Sequence, residues 1–507
     1  ALLLAGCSGG DGPSGSAAPT IPPNGRRKRG GTFRLGDSQM SGATTTDIQT
    51  SASSFVIARA YTNTLMERAH DYRLRLGLAE EFAPVNGDLS KWTIRVRDGV
   101  EFHNGKTLDA DDVIFTIRRN IDPKTAGFTS GLMASIDPDG IKKIDKRTVR
   151  LELKYPNSQL PDGFGEIPSG ILPVGFDPMK PVGTGPFKQE SFSPAARWVG
   201  ARNDNYWKPG LPYLDRLELI GFASQEARLN ALVAGQVDGI DRVIFSQVKQ
   251  LQRRSNLQVV VSETGAFEPV ALTTVKGSPF ADPRARKAFK LMVDRKQLVN
   301  TVYAGFGTIG NDTGNWGGFD PNYPADIPQR EQDLDQARAL FKQAGLEGAT
   351  IPMRLGEAVP GIFAAGDVLV QQAKAAGLNI KPDKFADLAQ FYGSNAYYTS
   401  PLKIDYDYTQ TVYDNLSYVW LPTGPFNSTS YDNPKVNALY KEALAATGAR
   451  YKELIGEISR IIHDDGPWCV WGGRNIPDVI ARTFIGLVPD AAGTGFNGLY
   501  FEEISLA

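Results

Sequence analysis

Cysteine and histidine are scarce, with two and three copies in 507 residues. Cys7 and Cys469 cannot make a disulfide framework, so a chain of this length must fold on hydrophobic cores alone. His103 has no second histidine, cysteine or carboxylate cluster at ligand spacing around it, and His70 and His463 are remote in sequence, so no metal site is expected. An excess of one charge is also lacking: 55 Lys and Arg against 56 Asp and Glu give a net charge of -1, and no global field draws the protein to nucleic acid. The pattern H-E-x-x-H is absent, G-x-S-x-G occurs only as Gly6-Cys7-Ser8-Gly9-Gly10 in the Gly- and Ser-rich start, and Cys469, flanked by Trp468, Val470 and Trp471, reads as buried packing. No catalytic residue and no cofactor are therefore expected. The apolar start, residues 1–7, is too short to span a bilayer.

What is present divides into several parts, because 507 residues suggest two to four domains. The start reads A-L-L-L-A-G-C, the end of a signal peptide, and Leu4-Ala5-Gly6-Cys7 resembles a bacterial lipobox in which Cys7 would carry the lipid. Residues 8–24 are nearly all Gly, Ser, Pro and Ala, the composition of an unfolded tether. A lipid and a tether would place the folded part on the extracytoplasmic face of a bacterial membrane. The basic run Arg26, Arg27, Lys28 and Arg29 reads as an anionic-lipid contact or a solvated segment.

The most informative stretch is 91–121. Trp92, Ile94 and Val96 alternate with polar residues, as in a half-buried strand; Val100 and Phe102 begin a second short strand, and Asn104-Gly105 is a turn. From Asp109 the period becomes helical, with Asp109 as cap, Asp112 at the third helical position, and Val113, Ile117 and Ile121 four apart.

That order, with Arg97, Gly99, Val100, Phe102, His103, Asn104, Gly105, Ala110, Asp112, Val113 and Phe115 in place, resembles the extracytoplasmic solute-binding proteins of the peptide/nickel/opine-binding family, which serve ABC importers. Three further segments are similar to that family: P-V-G-T-G-P-F at 181–187, N-Y-W-K-P-G at 205–210, and the helix start Y-D-N-P-K-V-N-A-L at 431–439. His103 then reads as tying down the turn between strand and helix, and Gly183 and Gly185 as a tight turn between lobes. The resemblance implies an α/β, two-lobed periplasmic-binding-protein-like fold with a hinge and an extra subdomain inserted in lobe I. The expected layout is signal-peptide end 1–7, tether 8–31, lobe I 32–268 with the insertion at about 56–180, lobe II 269–478, and a return to lobe I at 479–507. It implies a monomer that closes on its ligand and delivers it to ABC permease subunits in the membrane, with no chemistry of its own.

In peptide-binding members an aspartate pairs with the peptide amino terminus, and Asp414 is the closest positional match, with an Asx cap of the loop as the alternative. Around it lie Tyr413, Tyr418 and Trp420, rings suited to a wet, variable pocket. Asn315 and Trp316 are a second candidate cleft wall, or a packed turn. The expected solute is an oligopeptide or dipeptide. Because tyrosines replace the family's G-W pair near Asp414, an oligosaccharide, an opine-like or aromatic metabolite or a nickel complex stands as the alternative, and a secreted enzyme or chaperone-like module as a remoter one.

Overall fold

The computed structural model describes residues 27–125, 127–314, 319–393 and 395–507, so Cys7, the tether up to residue 26, Asn315 and Trp316 lie outside the described residues. In the 91–121 region the strand Asp88–Val96 buries Trp92, Ile94 and Val96 and leaves Lys91 and Arg95 exposed. It is central in a four-stranded antiparallel sheet with Ala79–Val85, Thr148–Leu153 and Ile136–Lys143. The helix Ala110–Ile121 starts at Asp109 with a full capping box, in which Asp109 accepts from the Asp111 and Asp112 amides while the Asp112 carboxylate accepts from the Asp109 amide. Val113 and Ile117 are fully buried against this sheet. The short strand expected at Val100 and Phe102 is reduced to a single bridge between Glu101 and Thr107, because the Asn104-Gly105 turn reverses the chain before a ladder can grow.

A seven-stranded mixed sheet forms the body of lobe I, ordered Leu257–Ser262, Ile476–Ala481, Gly239–Ile240, Thr32–Asp37, Arg216–Gly221, Arg197–Arg202, Phe187–Ser193. Thr32–Asp37 lies parallel to both its neighbours, and Phe33 and Leu35 go to a core that also holds Tyr61, Trp198, Leu217 and Phe496. The described part of the basic run does not stand free: Arg27 Nη1 donates to the Glu503 carbonyl at 2.5 Å and Arg29 Nη2 to the Gly210 carbonyl at 2.7 Å.

Lobe II is built on a five-stranded sheet, Asn379–Phe385, Thr350–Gly356, Leu402–Ile404, Val270–Leu272, Trp468–Cys469. The helices Pro283–Met292, Leu334–Gln343 and Ile362–Ala375 pack apolar residues such as Phe289, Phe341 and Leu369 into its core. Gly377, at φ 80°, ends the last of these where a side-chain-bearing residue would be strained. Cys469 is fully buried there, and burial pushes its thiol up to about 12.

The chain passes between the two large sheets at 263–269 and again at 475. These segments hold each other: the Arg474 amide donates to the Ala266 carbonyl at 2.6 Å, Thr264 Oγ1 donates to the Arg474 carbonyl at 2.6 Å, and the Glu268 carboxylate pairs with Arg474 at 2.8 Å. Two short, mutually bonded crossings form a narrow connection about which lobes can swing.

Candidate ligand site between the lobes

A cavity of about 430 Å³ lies between the lobes, within the range of single-ligand sites. A second depression, beside Leu291, is lined almost wholly by residues 331–338 of lobe II and does not reach the other lobe.

Lobe I contributes the helix Phe55–Tyr61, whose Phe55 and Arg59 line the cavity. This helix is seated by the glycines of P-V-G-T-G-P. A Cβ on Gly183 would lie 2.0 Å from the Tyr61 carbonyl oxygen, and one on Gly185 would lie 2.4 Å from the Tyr61 carbonyl carbon. The glycines thus permit close approach of two backbones, in which the Gly185 amide donates to the Tyr61 carbonyl at 2.9 Å. His103 holds the same loop, with Nε2 at 3.0 Å from the Gly185 carbonyl and its own amide donating to the Gly183 carbonyl at 2.9 Å. Burial lowers the His103 pKa to about 4, so the ring is a neutral strut.

Arg68 lines the cavity beside Tyr72, whose ring lies 4.5 Å below the guanidinium. Its Nη2 reaches Asp162 at 2.8 Å, Glu166 at 3.3 Å and Asp414 at 3.1 Å. Three carboxylates therefore share one cation. Burial, followed by repulsion from Asp162, pushes the Asp414 pKa well up.

From lobe II comes the segment 405–410, which leaves the buried strand Leu402–Ile404 and runs along the cavity. Asp405 accepts from the hydroxyls of Tyr392 (3.2 Å) and Tyr397, and from the Tyr406 amide at 2.9 Å. Asp407 accepts from the Tyr408 amide and from Asn415 Nδ2, each at 2.9 Å. Neither carboxylate has a cation within ion-pair distance among the described residues. Burial raises both, Asp407 to about 7. Tyr406 and Tyr408 stand edge to face at 5.5 Å, and Gln39 of lobe I reaches the Tyr408 hydroxyl at 3.2 Å.

Of the residues singled out in the sequence, Tyr418 lines the cavity and donates its hydroxyl to the Phe128 carbonyl at 2.8 Å. Asp414, Tyr413 and Trp420 are placed in the wall behind it instead of at its surface. Asp414 closes a capping box with Thr411 and pairs with Arg68, so its carboxyl group is engaged inside the protein. The Tyr413 hydroxyl lies 3.2 Å from Asn157 Nδ2 and donates to the Leu132 carbonyl at 3.1 Å, and Trp420 packs on Trp468 at 4.9 Å. Sequence reasoning passed over Arg59 and Arg68, and it offers Asp405 and Asp407 only as alternatives to Asp414. An arginine inside the apolar run F-V-I-A-R-A-Y and acids alternating with tyrosines directly after a buried strand were the available signals. Among the described residues no group of three His, Cys, Asp or Glu side chains could hold a metal ion, and no helix is long and apolar enough to cross a membrane.

Two α/β lobes, a double crossing and a cavity lined from both sides define a hinged solute-binding protein of the periplasmic type. Residues 73–441 match the sequence model of the bacterial extracellular solute-binding proteins, family 5, and the chain belongs to that family. It is thus an extracytoplasmic substrate-binding protein of the kind that serves ABC importers. The chain is 24% identical to the oligopeptide-binding protein AppA of Bacillus subtilis, covering 92% of this chain and 90% of that one. To the glutathione-binding protein GsiB of Escherichia coli it is also 24% identical, over 89% of this chain and 90% of the relative. The solved structure of AgaA from Agrobacterium, in complex with agropinic acid, superposes with a TM-score of 0.81 at 22% identity, over 94% of this chain and 99% of AgaA.

Proposed function

We propose that this protein captures dipeptides or short peptides in the interlobe cavity and delivers them to the permease of an ABC importer, held at the outer face of the cell membrane by a lipid on Cys7. The observation that carries the peptide reading is the pair Asp405 and Asp407: two half-buried carboxylates on one cavity wall, neither with a cation within ion-pair distance among the described residues, Lys403 reaching Asp405 only through its field. An ammonium entering a closed cleft must be paired, and these acids supply the partner. The rings of Tyr72, Tyr406, Tyr408, Tyr418 and Trp468 offer apolar faces with polar tips to a variable side chain. Asp414 stands at one remove from the solute, behind Arg68, while Tyr418 meets the solute directly. A cavity of about 430 Å³ favours a dipeptide or another compact amino-acid conjugate, an opine-like solute included, over a long peptide.

Calorimetric titration of Ala-Phe against N-acetyl-Ala-Phe tests the reading. The free amine binds more tightly to the wild type, and Asp407→Asn with Asp405→Asn removes most of that preference; equal affinity of the wild type for both forms refutes it. Intact-mass analysis of protein made with its full signal sequence and recovered from membranes tests the anchor, through a diacylglycerol adduct at Cys7.

A further inference from the structure

We infer that Arg59 is an anion receptor in the cavity and that the transported solute carries a carboxylate which docks on it. This rests on the solute-binding reading above and adds the opposite pole of the ligand. Arg59 is only 6% exposed and lines the cavity. Its guanidinium lies 4.4 Å over the Tyr500 ring, and Nη2 reaches the Tyr500 hydroxyl at 2.9 Å. Among the described residues no carboxylate comes within 4.0 Å of it, and Nε is buried with no hydrogen-bond partner. A buried cation without an anion is costly, and proteins normally pair it. The contrast with Arg68 on the same wall is direct, since Arg68 holds three carboxylates.

The nearby acids do not fill the gap. Glu67 and Glu502 contribute to the field at Arg59, but both are engaged by Lys208, at 2.9 and 3.2 Å, and Glu67 also by Arg75 at 3.3 Å. Arg59, Arg75 and Lys208 are thus three cations for the carboxylates of Glu67 and Glu502, and Glu166, which also feels Arg59, is held by Arg68 at 3.3 Å. The surrounding backbone is shaped for the purpose. Phe496, Asn497, Gly498 and Leu499 have consecutive φ values of 35°, 63°, 61° and 64°, a left-handed run in which three of the four residues carry side chains. It is held by the Phe496 amide on Asp478 (2.7 Å) and the Val488 amide on Asn497 Oδ1 (3.1 Å), lines the cavity through Gly498 and Leu499, and leads into Tyr500. Backbone strain of this kind persists where the surroundings over-determine it, as at ligand clamps. The cation sits in lobe I and the free acids in lobe II, so a solute with an ammonium at one end and a carboxylate at the other would draw the lobes together.

The probes are 3-phenylpropionate and its neutral isostere 3-phenylpropionamide, titrated calorimetrically into the wild type, Arg59→Gln, Arg59→Lys and the exposed-surface control Arg482→Gln. The wild type and Arg482→Gln prefer the acid to the amide, Arg59→Gln loses roughly 30-fold or more of affinity for the acid while its amide binding is unchanged, and Arg59→Lys falls between. No acid preference in the wild type, including no binding of either probe, overturns the inference, as does wild-type affinity of Arg59→Gln for the acid. Should Arg59→Gln fail to fold, Arg59→Lys decides: a reduced acid-to-amide ratio supports the receptor and an unchanged ratio overturns it. Ala-Phe and its N-acetyl form, run alongside, separate the two claims, because a preference for the free amine without any acid preference leaves the peptide reading standing and removes Arg59 alone.

Discussion

Arg68 of lobe I and Asp414 of lobe II meet at 3.1 Å across the lobe boundary, both almost wholly buried. The pair is one contact in a seam. Tyr413 and Tyr418 reach the Leu132 and Phe128 carbonyls across the same boundary, and the Ser158 amide donates to the Leu444 carbonyl at 2.8 Å. A closed arrangement is thus stabilised by protein groups as well as by any solute.

Because Arg68 is shared among three acids and Asp414 has its pKa pushed well up, Asp414→Asn removes little that the cluster needs. Its expected cost in stability is within about 1 kcal/mol. The free-amine over N-acetyl preference for Ala-Phe is unchanged in this variant, as calorimetry would show. Arg68→Ala, by contrast, leaves three carboxylates without their cation and costs about 3–5 kcal/mol, read as a large fall in melting temperature.

On the peptide reading, Asp407 is expected to make amine binding pH-dependent. In the free protein burial holds its pKa at about 7, and an adjacent ammonium lowers it, so binding releases a proton and affinity rises as pH rises through about 7. Titrations at pH 7 in two buffers of different ionisation enthalpy should give different apparent enthalpies for Ala-Phe, and Asp407→Asn should abolish the difference. Proton uptake on binding, or affinity falling between pH 6 and 8, would contradict the assignment.

How much of this could be read from the chain differs by scale. The strand Asp88–Val96, the helix Ala110–Ile121 with its cap at Asp109, and the asparagine-capped helix Pro434–Leu444 are written in local periodicity and capping residues, and the structure has all three. Apolar residues run from Phe55 as far as Leu65, yet the helix ends at Tyr61, where Thr62 turns extended and its hydroxyl donates to the Ala58 carbonyl at 2.9 Å. The glycines at 183 and 185 were read as a turn, but neither has positive φ; their need is set by the Tyr61 backbone, more than a hundred residues away in sequence. The site was the least legible part. Asp414 and Asp407 are both acids among tyrosines, and only Arg68, distant in sequence, decides which one is already neutralised.

His70 binds the return segment to lobe I through Asp490 at 2.6 Å and Glu503 at 2.9 Å. Burial disfavours its cation, but the two carboxylates outweigh that and raise its pKa from 6.5 to about 9. A folded-state pKa above the unfolded one means the stabilisation is fully present below about pH 6.5 and lost as pH climbs through about 9. The melting-temperature gap between wild type and His70→Gln should therefore be widest near pH 6 and shrink towards pH 10. A gap that widens with alkalinity would mean the ring is held neutral.

The seat of the Arg59 helix gives the last prediction. At Gly183 and Gly185 an added methyl would overlap Tyr61 and Thr62 backbone atoms that no side-chain rotation can clear. The loop must move away, losing the Gly185-to-Tyr61 bond and loosening His103. Gly185→Ala is expected to cost about 1–3 kcal/mol, the usual range for overpacking. Gly131→Ala is the control, since its nearest side-chain atom lies at an ordinary 3.6 Å. If the loop serves to position Arg59, Gly185→Ala also weakens 3-phenylpropionate binding at temperatures well below its melting transition, whereas Gly131→Ala does not. A Gly185→Ala protein that melts early yet binds the acid as the wild type does would limit the glycine clamp to stability and separate it from ligand recognition.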